Sequence, residues 1–237
     1  MTTPVAVVGD AAGDAADAVR DAGGSVVGDA SEADVVAAVG EDALLEVAAD
    51  QPAPVLPVAA GTEYAGVANR DLEPALASLS AGDFTVVDRS TFAVDAPTGS
   101  ARALADVTLV TTEPAKISEF DVDAGDRTVG SVRADGVVAA TPVGSRGYAT
   151  DAGGPRLDPG VPAAAAVPIS PFRVDQTNWV VAPPLSLTVA RDETTVELHV
   201  DGRGVGTLGV GDPVELTWGA PLRVAVVPAT RRPPRTD

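Results

Sequence analysis

Residues 141–155 read Thr-Pro-Val-Gly-Ser-Arg-Gly-Tyr-Ala-Thr-Asp-Ala-Gly-Gly-Pro, and they say more about the fold and function of this 237-residue chain than any other stretch. Their glycines and prolines favour a tight loop, because glycine accepts backbone conformations that other residues avoid and proline interrupts regular structure. Tyr148 supplies the only aromatic ring within residues 141–155. A loop with exposed backbone groups and one ring can lie against a flat ligand, so the sequence favours a binding site here.

The chain that precedes this loop begins with alternating strand and helix signals. Residues 5–8 and 34–39 read as strands, and Ala12, Ala16 and Val19 fall on one helical face. Such alternation predicts a parallel sheet with helices on its faces, whose ligands bind beyond the carboxyl ends of the strands. Further strands are expected at 25–27 and 55–58, and further helices around 44–48 and 72–79.

From Phe84 onward, short apolar runs are separated by Gly, Asp and Pro, which predicts an antiparallel sandwich or folded sheet. The pair Asp201-Gly202 between two such runs indicates a hairpin. We expect one short helix, near Thr150. The predicted strands are 84–87, 107–110, 117–122, 129–133, 137–141, 179–181, 185–190, 195–200, 205–208, 214–218 and 222–227.

The charge balance is strongly acidic, with 34 Asp and Glu against 16 Lys and Arg and a net charge of −18. Lys116 is the only lysine, and aromatic residues make up 3% of the chain. This composition predicts a protein of a salt-saturated cytoplasm, whose charged surface keeps it in solution. Nucleic acid is not an expected partner, because no basic stripe with interleaved aromatic residues occurs.

Several kinds of chemistry are excluded by the residues that the sequence lacks. It has no cysteine, which excludes disulfides, thiolate metal sites and a cysteine nucleophile. His199 is the only histidine, so a zinc site or a Ser-His-Asp triad is not expected. We also expect no membrane segment and a cytoplasmic location, because no apolar run approaches about 18 residues.

Extended upstream, the loop resembles the dinucleotide-binding signature of the NAD kinase family. That signature reads approximately A/C-D-G-x-x-x-x-T-P-T-G-S-T-A-Y-x-x-S-A-G-G-P, and residues 134–155 agree with it in spacing and largely in identity over more than twenty positions. Weaker similarities to family segments fall in the right order at 54–66, 89–92, 168–171, 200–202 and 211–212.

The resemblance implies a fold class and a domain plan. It implies a Rossmann-like parallel α/β domain at 1–90 and an antiparallel β-sandwich domain at 91–220, as in NAD kinases and diacylglycerol kinases. A final strand and a frayed tail at 221–237 can return to the first domain. The resemblance also implies a homo-oligomer.

The same resemblance implies that NAD or NADP binds between the domains. Asp135 would lie near the ligand amide, Tyr148 would form an aromatic wall, and Asp106 would keep the acid of the family's Asn-acid pair, whereas Ala105 lacks the amide. In the alternative interpretation, Asp135-Gly136 is a hairpin turn and Tyr148 a core ring. The candidate ligand-binding residues are Asp106, Asp135, Thr141, Gly144, Ser145, Arg146, Tyr148 and Asp151.

The family's phosphate-binding signature, G-G-D-G-T, is altered here. The matching residues 40–44 read Gly-Glu-Asp-Ala-Leu, so Asp42 remains as a candidate base while Glu41 and Ala43 replace glycines. A carboxylate beside a triphosphate opposes phosphoryl transfer. Arg146 stands where the family usually has Thr, and it is either a phosphate clamp or a surface substitution.

Three functions therefore remain open at the level of sequence. The first is an NAD kinase that transfers phosphate from ATP, with Mg²⁺, to the 2′-hydroxyl of NAD, with Asp42 as base. The second is a non-catalytic dinucleotide-binding or regulatory paralogue. The third is a kinase for another hydroxyl substrate, because fold alone does not determine substrate. No metal-ligating residues are assigned.

Overall fold

The computed structural model describes residues 3–9, 12–61, 63–113, 116–173 and 178–230. The chain divides into two compact units, one of Met1–Arg89 with Pro221–Asp237 and the other of Ser90–Ala220. The frayed tail expected at 231–237 lies outside the described residues. No helix in the described part of the chain has the length and apolar character needed to cross a membrane.

The first unit is a six-stranded sheet with three helices. The strand order is β2-β1-β3-β4-β18-β5, in which the first five strands are parallel and β5 is antiparallel to β18. The elements are β1 (Pro4–Gly9), α1 (Ala12–Asp21), β2 (Ser25–Val27), β3 (Val35–Val39), α2 (Glu41–Ala48), β4 (Val55–Val58), α3 (Leu72–Ser80), β5 (Thr85–Arg89) and, at the end of the chain, β18 (Leu222–Val226).

Burial in this unit follows the expected periodicities. Every residue of β3 is buried, as an apolar strand covered on both faces requires. The helix α1 buries Ala15, Ala16 and Val19, and it packs beside α3. Gly9 lets β1 and β3 approach closely, because a Cβ at this position would lie 2.1 Å from the carbonyl oxygen of Val39.

The second unit is a sandwich of two antiparallel six-stranded sheets. The strand orders are β10-β9-β14-β17-β6-β7 and β13-β12-β11-β8-β15-β16. The elements are β6 (Phe92–Ala96), β7 (Gly99–Ala103), β8 (Asp106–Thr111), β9 (Ser118–Ala124), β10 (Arg127–Ala134), β11 (Gly136–Ala140), α4 (Tyr148–Asp151), β12 (Ala164–Ile169), β13 (Trp179–Val181), β14 (Leu185–Arg191), β15 (Val196–Val200), β16 (Arg203–Leu208) and β17 (Pro213–Trp218).

The core of the sandwich contains side chains from both sheets. Alternate residues of β14 and β15 are buried, which is the pattern of strands with one face on a core. Phe92 stacks on Trp218 with ring centroids 5.3 Å apart, and Phe120 and Leu109 belong to the same buried cluster. The expected fold class is therefore confirmed.

Three strands were not predicted, and two of the strands predicted from Phe84 onward, at 84–87 and 222–227, belong to the first unit. Strands β6, β7 and β12 have no counterpart among the strands predicted from the sequence. The last of these is alanine-rich and contains a proline, a composition with low strand propensity, yet all six of its residues are buried. The strand predicted at 84–87 corresponds to β5, which joins the first sheet by pairing with β18.

The link at Asp135-Gly136 is not a hairpin. The strand β10 pairs with β9 in one sheet, whereas β11 pairs with β8 and β12 in the other. Asp135 is therefore the residue at which the chain crosses between the two sheets of the sandwich.

Candidate functional site

The loop of residues 141–155 folds back over the outer face of the second sandwich sheet. It passes through a single 3-10 turn, Gly144–Arg146, and then through α4. Ala149 of α4 and the following Leu157 pack in one buried cluster with Val138 of β11 and Val167 of β12. This packing buries the outer face of β12, which explains how an alanine-rich strand is covered on both sides.

Two hydroxyl groups hold the loop in shape. The Thr141 hydroxyl donates to the Leu104 carbonyl at 2.7 Å and accepts from the Gly144 N–H at 3.1 Å. The Ser145 hydroxyl donates to the Pro142 carbonyl at 2.7 Å and accepts from the Leu157 N–H at 2.8 Å. Both side chains are fully buried, and each hydroxyl both donates to and accepts from a group of the protein.

Gly144 lies against the backbone of Ala105. A Cβ at position 144 would lie 1.9 Å from the Ala105 carbonyl oxygen, and the Thr141 N–H donates to that same oxygen at 2.9 Å. Only glycine permits this approach. The loop thus contacts residue 105 through its main chain, and an alanine side chain at this position is compatible with that contact.

The segment that carries Ala105 is anchored by Asp201. The Asp201 carboxylate accepts three backbone hydrogen bonds, from Leu104 at 2.9 Å, Ala105 at 2.7 Å and Asp106 at 3.1 Å. Burial raises the pKa of Asp201, although these three N–H donors act in the opposite direction. The sequence predicts Asp201 only as a turn residue, because its one local signal is the Asp201-Gly202 pair.

Tyr148 lies at the start of α4 with 46% of its surface exposed, so it is not a core ring. Burial of the rest of the side chain raises the pKa of its phenol, and the negative charges of Asp106, Asp135 and Asp151 raise it further. The structure therefore brings these three candidate aspartates within electrostatic range of Tyr148. The accessible ring can stack on a flat ligand group, and the nearby carboxylates can accept hydrogen bonds from hydroxyl or amide donors of that ligand.

The three carboxylates differ in their surroundings. Asp106, the first residue of β8, is 9% exposed, and it accepts from the Thr108 hydroxyl at 3.3 Å. Asp135 is half-buried at the crossover, and Asp151 is exposed at the end of α4. Asp106 is thus the most constrained acceptor of the group.

Arg146 ends the 3-10 turn and is half-buried. Its Nε is buried and has no hydrogen-bond partner among the described residues. A buried donor without an acceptor is costly, and an anionic ligand group could supply the acceptor.

Asp42, the candidate base, lies in the first unit. It is the second residue of α2, which follows Gly40, a glycine with a φ of 95°. Asp42 is exposed and lines a cavity of about 590 Å³ at the carboxyl ends of β1 and β3. The acidic residues of the lining are Glu41, Asp42, Glu46 and Asp50, and none of the described lining residues is basic.

Glu41 has a hydrogen-bond partner that was not predicted from the sequence. The hydroxyl of the buried Tyr64 donates to Oε1 of Glu41 at 2.9 Å. Among the described residues, no group of three or more His, Asp or Glu side chains is arranged to hold a metal ion.

Known proteins resemble both units. A family model of the ATP-NAD kinase C-terminal domain matches residues 104–226. The NAD kinase of Methanosarcina barkeri is 37% identical over 113 residues, which are 47% of this chain and 41% of that protein. The chain thus spans less than half the length of that relative in the match.

Two solved structures share the fold at low sequence identity. Yeast NADH kinase complexed with NADH superposes with a TM-score of 0.81 at 17% identity, covering 96% of this chain and 84% of that one. An NAD kinase from Archaeoglobus fulgidus in complex with ATP has a TM-score of 0.72 at 18% identity, covering 97% and 94%.

Proposed function

This chain belongs to the NAD kinase family, and from that premise we propose that it binds NAD or NADP at the loop of residues 141–155. The observation that carries the proposal is the accessible Tyr148 ring in the field of Asp106, Asp135 and Asp151. The ring packs on a base or nicotinamide face, and the carboxylates accept from ribose hydroxyls and amide N–H groups.

The other candidate residues contribute in two ways. Thr141, Gly144 and Ser145 keep the loop in a binding shape through buried contacts. Arg146 supplies the positive charge that a dinucleotide diphosphate requires, because its unpartnered Nε and the rest of its guanidinium can form two parallel bonds to phosphate oxygens.

In the catalytic form of the proposal, Asp42 accepts the proton of the adenosine 2′-hydroxyl as that oxygen attacks the γ-phosphorus of ATP. The bond between this phosphorus and the bridging oxygen of ADP then breaks. Mg²⁺ bound by the ATP phosphates would neutralise part of their negative charge, as magnesium does in other phosphoryl transfers. The relative complexed with ATP supports a donor site in this fold.

One observation favours the non-catalytic alternative. Glu41, Glu46 and Asp50 line the same cavity as Asp42, and no described lining residue is basic, so the charge of the cavity opposes a triphosphate. A dinucleotide-binding paralogue would keep the Tyr148 site and lose the donor site.

The decisive experiment is a titration of the purified protein with NAD and NADP in molar salt, together with an NADP-formation assay. High salt is used because an acidic protein that is adapted to it unfolds when its charges are unscreened. We expect Tyr148→Ala to weaken dinucleotide binding by about tenfold or more, since an aromatic stacking contact contributes about 1 kcal/mol beyond its buried area. Wild-type protein that binds neither dinucleotide would refute the proposal.

The role of Asp42 is tested separately. If Asp42 is the base, Asp42→Asn abolishes NADP formation and leaves NAD affinity nearly unchanged. Binding of NAD without turnover by the wild-type protein would instead establish the paralogue, and turnover retained by Asp42→Asn would remove this residue from the mechanism.

A further inference from the structure

Tyr64 is one of two tyrosines in the chain and is 5% exposed, although it belongs to a turn segment between β4 and α3. The segment is closed by backbone hydrogen bonds, from Ala59 N–H to the Val67 carbonyl at 2.8 Å and from Val67 N–H to the Pro57 carbonyl at 2.9 Å. These bonds hold the tyrosine at the end of β4, whose Val58 is paired with Val39 at the end of β3.

The start of α2 is joined to the same place. The Gly40 N–H donates to the Val58 carbonyl at 2.8 Å, and Glu41 follows directly as the first residue of the helix. The Tyr64 hydroxyl therefore reaches Glu41 from a neighbouring strand end, 23 residues further along the chain. These three backbone hydrogen bonds fix the positions of both partners.

We propose that Tyr64 is a positioning residue for the phosphate donor. Its hydroxyl holds the Glu41 carboxylate toward the turn after β4 and so keeps this charge from the donor path beside Asp42. The inference rests on the proposed function, because it requires a donor in the cavity that Asp42 and Glu41 both line.

The reason is electrostatic. The cavity has four carboxylates and no described basic lining residue, so each carboxylate that faces a triphosphate weakens its binding. A neutral hydroxyl that donates to Glu41 fixes the side chain in one orientation and disperses part of its charge. Without the donor, the exposed first turn of α2 leaves Glu41 free to rotate toward the phosphates.

The test is a double-mutant cycle read out by MgATP binding. Tyr64→Phe, Glu41→Ala and the double variant are titrated with MgATP by calorimetry in molar salt, and each is titrated separately with NAD. Glu46→Ala and its combination with Tyr64→Phe are the matched controls, because Glu46 contributes a charge to the same cavity. Circular dichroism checks that every variant is folded.

We expect Tyr64→Phe to weaken MgATP binding by about fivefold, as for a carboxylate brought near a phosphate in strong salt, and to leave NAD affinity unchanged. The loss disappears in the Glu41→Ala background and persists in the Glu46→Ala background. If turnover is measurable, the KM for MgATP rises while kcat is retained.

Three results would overturn the inference: an unchanged MgATP affinity in Tyr64→Phe, an equal loss in the Glu41→Ala background, or no MgATP binding by the wild-type protein. The first two leave the proposed function intact. Failure of NAD to bind counts against the dinucleotide proposal instead, because the two ligands are titrated independently.

Discussion

Gly144→Ala tests the geometry of the loop most directly. The added Cβ would lie 1.9 Å from the Ala105 carbonyl oxygen and 2.4 Å from its carbonyl carbon. Both are backbone atoms, so no side-chain rotation can relieve the overlap. Because carbon and oxygen rarely approach within about 3.3 Å, the loop and the 104–106 segment must separate by about 1.4 Å.

The cost follows from the contacts that this separation breaks. The Thr141 N–H to Ala105 bond of 2.9 Å and the Thr141 hydroxyl to Leu104 bond of 2.7 Å would both be lost. Each is worth about 1 kcal/mol, and the unpaired buried groups add about 1 to 3 kcal/mol. We therefore expect the free energy of unfolding to fall by about 3–5 kcal/mol.

Urea unfolding followed by tryptophan fluorescence measures this change within the sandwich unit, because both tryptophans, Trp179 and Trp218, belong to it. A loss of this size lowers the urea midpoint by about 2 M for a typical dependence on denaturant. Dinucleotide affinity should fall with it, since the loop also carries Tyr148.

Gly204→Ala, at an exposed position of β16 in the same unit, is the control for this substitution. Its Cβ would meet no heavy atom closer than 3.8 Å, and its φ lies outside the left-handed region that favours glycine. We expect its midpoint to stay near that of the wild type. An equally stable Gly144→Ala protein with undiminished NAD binding would show that the described approach of the loop to Ala105 is wrong.

Three further changes have defined outcomes. Asp201→Ala leaves three backbone N–H groups unpaired, so urea unfolding should show a loss of about 3 kcal/mol, and a loss below about 1 kcal/mol would contradict the anchoring role. Because the pKa of Tyr148 is raised above the ordinary value of 10.0, its phenol stays neutral to higher pH in the folded protein. The contribution of this phenol to the free energy of unfolding is therefore lost as the pH rises through the raised pKa. Asp151→Asn should lower the pKa of Tyr148. Absorbance titration in a Tyr64→Phe background, where Tyr148 is the only tyrosine, measures this change. An unchanged titration would refute the coupling between Asp151 and Tyr148. Glu41→Gly with Ala43→Gly should raise NADP formation if these residues obstruct the phosphates, and no gain would place the donor elsewhere.

Much of the architecture could be predicted because its signals are local. Alternate burial in β14 and the fully apolar β3 are visible as periodicities within five to seven residues. The strand β12 escaped prediction because its alanines carry no strand signal and its burial comes from the loop that folds over it. Strand propensity is a property of the segment itself, whereas the burial of β12 depends on the loop that packs over it.

The candidate site divides in the same way. The spacing of Asp135 and Tyr148 in a family signature identified them as candidates, and their electrostatic proximity is a property of the fold. The sequence suggested ligand contacts for Thr141 and Ser145, and the structure shows that their hydroxyls bond within the protein. Whether they also influence the ligand stays a prediction.

The family, the fold class and the glycine-rich loop follow from the amino-acid sequence alone, because all three depend on residue identity and short-range spacing. The contacts between groups that are distant in the chain depend on the folded structure. Asp201 contacts the 104–106 segment from more than ninety residues away, and Tyr64 reaches Glu41 across two strand ends. Such pairs carry no periodic signal, since their partners are selected by strand order and register after the chain has folded.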